Sequence, residues 1–243
     1  MILSEKHIAF LRKFADIAIR CLYPKHCPVC DEIIPLGHEY CHCSRECSRK
    51  IDTDFCRHCG YDNGNCICSG KNTVKLPNVT GVYIYNGKIR ADILDLKFNN
   101  EKRKAVMLGE CMAERCANVF YNIDFDIITF VPMTKDSYNK RGYNQSELLA
   151  CQVGKMMFVS VENLFDKTRD TRTQHELNGY ERLGNVKDSV VLKPCKDVLG
   201  KNILICDDVK TTGATLDQCV QALKNAGANE ICCICVALAD FSV

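Results

Sequence analysis

The sequence contains no apolar run of membrane-spanning length and no excess of charge of either sign. Its 32 Lys and Arg residues are balanced by 30 Asp and Glu residues, which leaves a net charge of +2. A chain so nearly neutral has no general attraction to nucleic acid, so any such binding must come from a local basic patch. The first 25 residues also lack a secretory signal, because charged residues such as Glu5, Arg12 and Asp16 interrupt the apolar ones. We therefore expect a cytoplasmic protein.

Cysteine, in contrast, is abundant and unevenly distributed. Nine of the 19 cysteines lie between Cys27 and Cys68, and the others are scattered through the rest of the chain. In a reducing compartment, clustered cysteines indicate metal ligands more often than disulfides. The scattered ones, such as Cys206 and Cys219, lie in apolar patterns, and we expect most of them to be small core residues.

The cluster contains two Cys-x-x-Cys knuckles, and the second is followed by Gly60, which permits a tight turn. A closed structural zinc site takes four thiolates, so eight cysteines suit two Zn2+ ions and four suit one. Because this segment has few large apolar residues, bound metal would supply much of its folding energy. The candidate zinc ligands are Cys27, Cys30, Cys43, Cys47, Cys56, Cys59, Cys66 and Cys68.

More than one ligand set fits this spacing. Sequential pairing joins the first four cysteines on one ion and the last four on another, whereas cross-braced pairing lets the first and third pairs share an ion. Disulfides and an iron–sulfur cluster are the alternatives to zinc. Cys41 could replace Cys43 as a ligand, and a histidine could replace a thiolate at His26, His38, His42 or His58.

A second feature is a strand–turn–helix pattern near the end of the chain. The apolar residues 203–206 predict a buried strand, and Asp207 and Asp208 follow at its carboxyl end. Small polar residues at 211–215 then form a turn before an apolar helical repeat. Open α/β sheets bind ligands at this edge, where turn N–H groups and a helix N-terminus hold phosphate. The pattern predicts a sugar-phosphate site, and the glycine-rich Walker A motif is absent.

Two further polar segments follow strands. Residues 126–132 predict a buried strand that leads into a loop over 133–146. The loop carries Lys135, Lys140 and Arg141, which suit an anion richer in charge than a monophosphate. The long polar segment 166–188 is expected to be a functional lid or disordered, because structureless loops of this length are uncommon inside compact domains.

Strands and helices alternate from residue 126 onward, which predicts an α/β fold with a doubly wound parallel sheet. The Asn86-Gly87 dipeptide is typical of a hairpin turn. An amphipathic pattern also predicts a helix over 4–22, within the N-terminal segment 1–25. The remaining predicted elements are strands over 79–85, 163–165 and 230–239 and helices over 104–120, 147–158 and 216–226.

Taken together, these features resemble the ComF (ComFC-type) competence protein family over nearly the whole chain. The most specific match is Arg-Gly-Tyr-Asn-Gln-Ser at 141–146; others are the cysteine knuckles, Leu-Lys-Phe at 96–98, Arg-Thr-Gln at 172–174 and the acidic pair with its turn. The resemblance implies a type I phosphoribosyltransferase-like domain over 79–243 behind a small double-zinc-ribbon-like domain over 26–70. It also implies handling of incoming single-stranded DNA during natural transformation, beside an ATP-driven DNA-uptake translocase helicase.

By the same resemblance, phosphoribosyl pyrophosphate (PRPP) or a nucleotide phosphate would bind with Mg2+ at the strand ends. Pyrophosphate would lie near Lys140 and Arg141, with Arg172 in the lid over it. Asp207 and Asp208 would contact the ribose. The implied 5′-phosphate loop consists of Lys210, Thr211, Thr212, Gly213, Ala214 and Thr215, in which Lys210 stands at the variable place of the motif.

Two functions of different classes are open. An enzyme would transfer a phosphoribosyl group from PRPP to an acceptor that no residue of the sequence identifies, through a transition state like an oxocarbenium ion. A binding module would grip single-stranded DNA with cations and aromatic platforms such as Lys97, Phe98 and Tyr143. Steeply salt-dependent DNA binding favours the module, whereas retention of the PRPP motif favours the enzyme.

Overall fold

The computed structural model describes residues 23–24, 26, 32–34, 50–68, 76–169, 188–194 and 196–239. The helix predicted over 4–22 and most of the predicted lid, including Arg172, lie outside the described residues. So does the first predicted ligand set, which consists of Cys27, Cys30, Cys43 and Cys47. Within the described residues, no helix is both long enough and apolar enough to cross a bilayer.

The centre of the fold is a four-stranded parallel sheet in the order β1-β6-β5-β2. A separate antiparallel pair, β3 with β4, takes up both ends of the predicted lid segment 166–188, since β3 includes residues 166–169 and β4 begins at Asp188. β6 is apolar and buried over nearly its whole length, as expected for a parallel strand covered on both faces. The strands are β1 (Val79–Tyr85), β2 (Ile127–Phe130), β3 (Phe165–Arg169), β4 (Asp188–Leu192), β5 (Ile203–Lys210) and β6 (Ile231–Ala239).

Two hydrophobic clusters cover the two faces of the sheet. Leu204 and Cys206 of β5 belong to one cluster, and Ile203 and Ile205 belong to the other, because alternate side chains point to opposite faces. Helices α1, α2 and α4 build the first cluster. Helix α5, strand β3 and residues 50–68, which we call the cysteine segment, build the second. This is the doubly wound α/β architecture that the sequence predicts. The helices are α1 (Gly87–Phe98), α2 (Arg103–Val119), α3 (Lys135–Arg141), α4 (Gln145–Met157) and α5 (Ala214–Asn225).

The predicted elements agree with β1, β6, α2, α4 and α5 to within two residues at each end. Three local predictions are wrong. The short strand predicted over 163–165 is instead β3 at Phe165–Arg169, which extends into the segment predicted as a lid. Asn86-Gly87 does not close a hairpin, because Asn86 is the N-cap of α1, in which Ile89 and Ile93 are buried one turn apart. The loop predicted over 133–146 contains α3, which ends where Gly142 adopts a φ of 75°. β5 also runs four residues past the apolar stretch, so that Asp207 and Asp208 lie inside the strand.

A buried arginine of α2 fixes the cysteine segment to the sheet. Arg115 donates hydrogen bonds to the Ile51 carbonyl oxygen at 3.0 Å and to the Asp52 carbonyl oxygen at 2.7 Å. Its Nε donates to Thr80 Oγ1 of β1 at 3.1 Å, and its guanidinium lies 4.8 Å from the centroid of the Phe55 ring. Charge-assisted hydrogen bonds of this kind are the strong ones, so the cysteine segment, α2 and β1 are joined through one side chain.

Candidate functional site

The carboxyl ends of β2 and β5 meet at one edge of the sheet, because the two strands are parallel neighbours. A pocket of about 300 Å³ lies there, between the segment that follows β2 and the turn that follows β5. We call it the strand-end pocket. Its polar and charged lining includes Thr134, Ser137, Arg141, Asn144, Gln145, Ser146, Lys167, Asp207 and Thr215.

The Asn-Gln-Ser part of the 141–146 signature builds the wall of this pocket. Asn144 donates a hydrogen bond to the Val131 carbonyl oxygen at 3.0 Å and accepts one from the Ser146 N–H at 3.0 Å. It thereby caps α4 and ties the helix to the end of β2. Ser146 in turn donates from its hydroxyl to Asp207 Oδ1 at 2.9 Å. The signature therefore connects the ends of both strands through buried hydrogen bonds.

The two adjacent carboxylates have different surroundings. Asp207 lines the strand-end pocket, where burial and the neighbouring Asp208 carboxylate raise its pKa to about 7. Asp208 is 4% exposed, and its Oδ2 forms an ion pair with Lys97 Nζ at 2.6 Å. Its Oδ1 accepts the Val209 N–H at 2.7 Å. Asp207 is thus the acid that faces the pocket, while Asp208 is paired with a cation from the end of α1.

The raised pKa of Asp207 gives a pH prediction for the Asp207→Asn variant. The folded pKa lies above the unfolded value of about 4, so the folded protein retains a proton that the unfolded chain loses between about pH 4 and pH 7. Wild-type stability therefore falls as pH rises through that window, and the asparagine removes this loss. From pH 5.5 to pH 8, we expect the stability of the variant relative to wild type to rise by about 2 kcal/mol. Urea unfolding at both pH values measures the change, and a difference independent of pH would contradict it.

The turn after β5 has the form expected of a phosphate loop. Thr211 and Thr212 are exposed, and Gly213 adopts a φ of 86°, which side chains other than glycine rarely adopt. Ala214 donates its N–H to Thr212 Oγ1 at 3.3 Å at the start of α5, and Thr215 lines the strand-end pocket. The N-terminus of α5 thus lies beside the pocket, where its dipole favours an anion.

Lys210 lies apart from this turn. Its side chain is 1% exposed within β5, and its ammonium lies 5.4 Å from the centroid of the Tyr61 ring in the cysteine segment. Among the described residues, its Nζ has no hydrogen-bond partner. The structure therefore places Lys210 beside the cysteines rather than in the predicted phosphate loop.

A second pocket, of about 460 Å³, adjoins the first and is lined by cations and aromatic rings. Arg141 lines both pockets, and its guanidinium lies 4.9 Å from the centroid of the Phe98 ring, which is 65% exposed. Lys102 Nζ lies 4.6 Å from the Tyr143 ring centroid at the same place. We call this surface the cationic groove; its lining is Lys97, Phe98, Asn100, Ser137, Lys140, Arg141 and Tyr143.

The second predicted ligand set of the cysteine segment is assembled. The Sγ atoms of Cys56, Cys59, Cys66 and Cys68 all lie within 4.8 Å of one another, and Gly60 makes the knuckle turn with a φ of 87°. Burial works to raise the pKa of Cys56, but backbone hydrogen bonds at His58 and Cys59 and the neighbouring thiols lower it to about 6. Burial, followed by the neighbouring thiols, raises the pKa of Cys68, and burial raises the pKa of Cys59, so the positions of the four sulfurs rather than their acidity point to a metal ion.

The spacing of these thiols fits a tetrahedral metal site. Zn–S bonds of about 2.3 Å place tetrahedral sulfurs about 3.8 Å apart. Cys56 and Cys68 are 3.6 Å apart, and Cys59 and Cys66 are 3.8 Å apart. The His58 ring nitrogen Nδ1 lies 3.1 Å from the Leu76 carbonyl oxygen. The cluster could therefore hold one metal ion through four thiolates, as sequential pairing requires.

The structure brings the predicted residues together unevenly. Asp207, Arg141 and Thr215 line one pocket, whereas Lys140 is exposed and lines the cationic groove. Arg172 lies outside the described residues. Sequence reasoning missed Lys167, which reaches the strand-end pocket from β3, and the pairing of Lys97 with Asp208. No local pattern reports either contact, because both depend on distant segments meeting.

The sheet, the strand-end pocket and the turn before α5 define a phosphoribosyltransferase-like protein. Residues 109–240 match the family described as "Phosphoribosyl transferase domain". The match covers more than half of the chain and extends from within α2 through β6. The chain therefore belongs to the phosphoribosyl transferase domain family.

Similar proteins point to one type within it. "DNA utilization protein YhgH" of Escherichia coli (strain K12) is 29% identical over 230 residues, which cover 88% of this chain and 98% of that protein. "Competence protein F" of Haemophilus influenzae is 28% identical over 198 residues, covering 76% of this chain and 85% of the relative. "Competence protein ComFC" of Streptococcus pneumoniae is 33% identical over 106 residues, covering 42% and 43%. The chain is of the ComF type.

Proposed function

We propose that this protein binds PRPP or a nucleotide phosphate with Mg2+ in the strand-end pocket. The observation that carries the proposal is the convergence of two polar strand ends on one pocket. Asp207 and the turn before α5 come from β5, and Arg141 and Ser146 come from the segment after β2. Phosphate, pyrophosphate and ribose each find suitable partners in such a set: a helix N-terminus, cations and a carboxylate.

Each part of the ligand is assigned to one part of the pocket. The 5′-phosphate lies at Thr215 and the N-terminus of α5, beside the exposed Thr211 and Thr212, and the ribose hydroxyls donate to Asp207. The pyrophosphate lies toward Arg141 and Lys167. Mg2+ prefers oxygen ligands, and when bound it would offset the charge of the pyrophosphate. Asp207 is the carboxylate of this chain that is suited to contact the ion, since Asp208 is paired with Lys97.

Isothermal titration calorimetry tests this proposal directly. We expect PRPP with Mg2+ to bind with micromolar affinity, and ribose 5-phosphate to bind more weakly because it makes no pyrophosphate contacts. Absence of binding heat for PRPP over a range of temperatures would contradict the proposal. Pyrophosphate release in the presence of an acceptor base would add phosphoribosyl transfer, the alternative function, to the binding.

We also propose that the metal of the four-cysteine cluster is structural zinc. Four thiolates fill a tetrahedral site and leave no position open for water or substrate, which is typical of structural centres. A second zinc ion stays a prediction. Its expected ligands are Cys27, Cys30, Cys43 and Cys47. Metal analysis of the purified protein counts the ions.

A second function, handling of single-stranded DNA, is supported by the cationic groove. Single-strand binders combine cations that follow the backbone with aromatic rings on which bases stack. Lys140 and Arg141 supply the cations, and the exposed ring of Phe98 supplies a platform. Relatives named for competence and DNA utilization favour the same use. In this proposal the protein acts in the cytoplasm beside a DNA-uptake translocase helicase.

A further inference from the structure

The buried lysine at the end of β5 is the feature that the sugar-phosphate site leaves unexplained. Lys210 is 1% exposed, and no described residue accepts a hydrogen bond from its ammonium. A buried and unpaired ammonium is costly, so such groups are rarely found without a compensating charge. The Tyr61 ring, at 5.4 Å, supplies only a weak cation–π contact.

The surroundings of Lys210 show where that charge would come from. The Tyr61 carbonyl oxygen accepts a hydrogen bond from the Cys56 N–H at 2.8 Å. The aromatic ring beside Lys210 therefore belongs to the turn that carries Cys56 and Cys59. The Tyr61 hydroxyl donates to the Ala239 carbonyl oxygen at 2.7 Å, which fixes the ring against the end of β6. Cys59 and Tyr61 are both buried in the cluster that covers this face of the sheet. Burial lowers the pKa of the Lys210 ammonium, and the nearby thiols of Cys235, Cys59, Cys68 and Cys233 oppose that shift.

We propose that Lys210 is the built-in counter-charge of the four-cysteine metal centre. Four thiolates around one divalent ion carry more negative charge than the ion neutralises, and a buried centre cannot leave the excess to solvent. The ammonium of Lys210 lies where it offsets part of this charge, so the metal centre and the lysine stabilise each other. This inference rests on the proposed zinc.

The pairing of Lys210 with the metal centre also affects the turn that follows β5. It is the last residue of β5, and Thr211 of the phosphate turn follows it directly. The metal centre therefore holds the strand end from which the phosphate turn departs. Without the zinc ion, the Lys210 ammonium is left uncompensated at the end of β5. The first residue of the turn, Thr211, is then held less firmly in place.

The Lys210→Met variant tests the proposal, because methionine keeps a long unbranched side chain and removes the charge. In the zinc-loaded protein, we expect Lys210→Met to release one zinc ion to a chromogenic chelator at least tenfold faster than wild type. The unfolding temperature is compared in both forms: the variant should unfold below wild type when zinc is bound and above wild type when zinc is stripped, because the lysine is paired with the metal centre only in the first case. A lysine that acts by packing alone would change stability in the same direction in both forms.

Three further variants complete the experiment. Lys210→Arg keeps the charge and should retain slow zinc release, and Lys224→Met removes an exposed lysine of α5 and should match wild type in both forms. Lys210→Gln carries the comparison if the methionine variant does not fold. If Lys210→Met binds zinc and releases it at the wild-type rate, the proposed role of Lys210 is overturned but the zinc assignment is not. Wild-type protein that binds no zinc by metal analysis would overturn the zinc assignment as well.

Discussion

Replacing Asp207 by asparagine is expected to weaken PRPP binding at pH 8 by roughly ten- to a hundredfold. Asp207 is the acid that lines the strand-end pocket, and above its pKa of about 7 it presents a carboxylate to the ribose and to Mg2+. A hydrogen bond to a charged acceptor contributes about 1.5–3 kcal/mol, so losing one such contact lowers affinity by one to two orders of magnitude. Calorimetric titration with PRPP and Mg2+ at pH 8 measures the loss.

Asp95→Asn is the matched control for this experiment. Asp95 is another carboxylate with a charged neighbour: its Oδ2 lies 2.6 Å from Lys104 Nζ. It does not line the strand-end pocket. Its substitution should leave PRPP affinity unchanged. A second comparison, with Asp208→Asn, asks whether the ribose also uses the acid that is paired with Lys97. Wild-type affinity in the Asp207 variant would mean that the ribose does not contact Asp207.

Removing one cation that lines the cationic groove and one that lies beside it is expected to reduce both the affinity for single-stranded DNA and its dependence on salt. Lys140 lines the groove, and Lys102 lies over the Tyr143 ring beside it. Each phosphate contact contributes about −0.7 to the slope of log K against log salt for single strands. The double variant Lys102→Ala/Lys140→Ala should therefore have a slope that is shallower by about 1.4. Fluorescence anisotropy of a labelled oligothymidine between 50 and 200 mM salt, the range in which such contacts separate, measures it.

The double variant Lys155→Ala/Lys224→Ala makes the same change in net charge outside the groove, at two exposed positions on α4 and α5. It should keep the wild-type slope. If both double variants lose the same amount, binding follows overall charge and the groove is not the binding surface. A Phe98→Ala variant, compared with Tyr121→Ala at another exposed ring, separates base stacking from charge.

Periodicity predicted the parts of the fold in which each element depends on its own residues. β6 and α2 follow directly from apolar spacing, and the acidic pair with its turn predicted the edge of the sheet where the pocket lies. The hairpin prediction is wrong because the helical spacing of Ile89, Ile93 and Leu96 determines the structure after Asn86-Gly87, not the turn preference of that dipeptide. Asn86 serves as an N-cap, a role that asparagine fills as readily as a turn position.

The site was predicted less completely than the fold, because its contacts join segments far apart in the sequence. The motif placed Lys210 in the phosphate loop, but the side chain lies against Tyr61, about 150 positions earlier in the chain. Lys97 was a candidate DNA contact, and its ion pair with Asp208 joins residues with no local relation. Spacing within a motif reports which residues share a strand or a turn, but the direction of a buried side chain depends on what packs against it.

The bonds of Arg115 constrain how this protein can be divided and how it can vary. The guanidinium donates to backbone oxygens of Ile51 and Asp52, so the side chains at those two positions can change without loss of the contacts. A chain shortened to begin after the cysteines would lose both carbonyl acceptors and the Phe55 ring, so the Arg115 guanidinium would keep only its hydrogen bond to Thr80 Oγ1. We therefore expect the cysteine-rich part and the sheet to unfold together, although their sequences look like two modules.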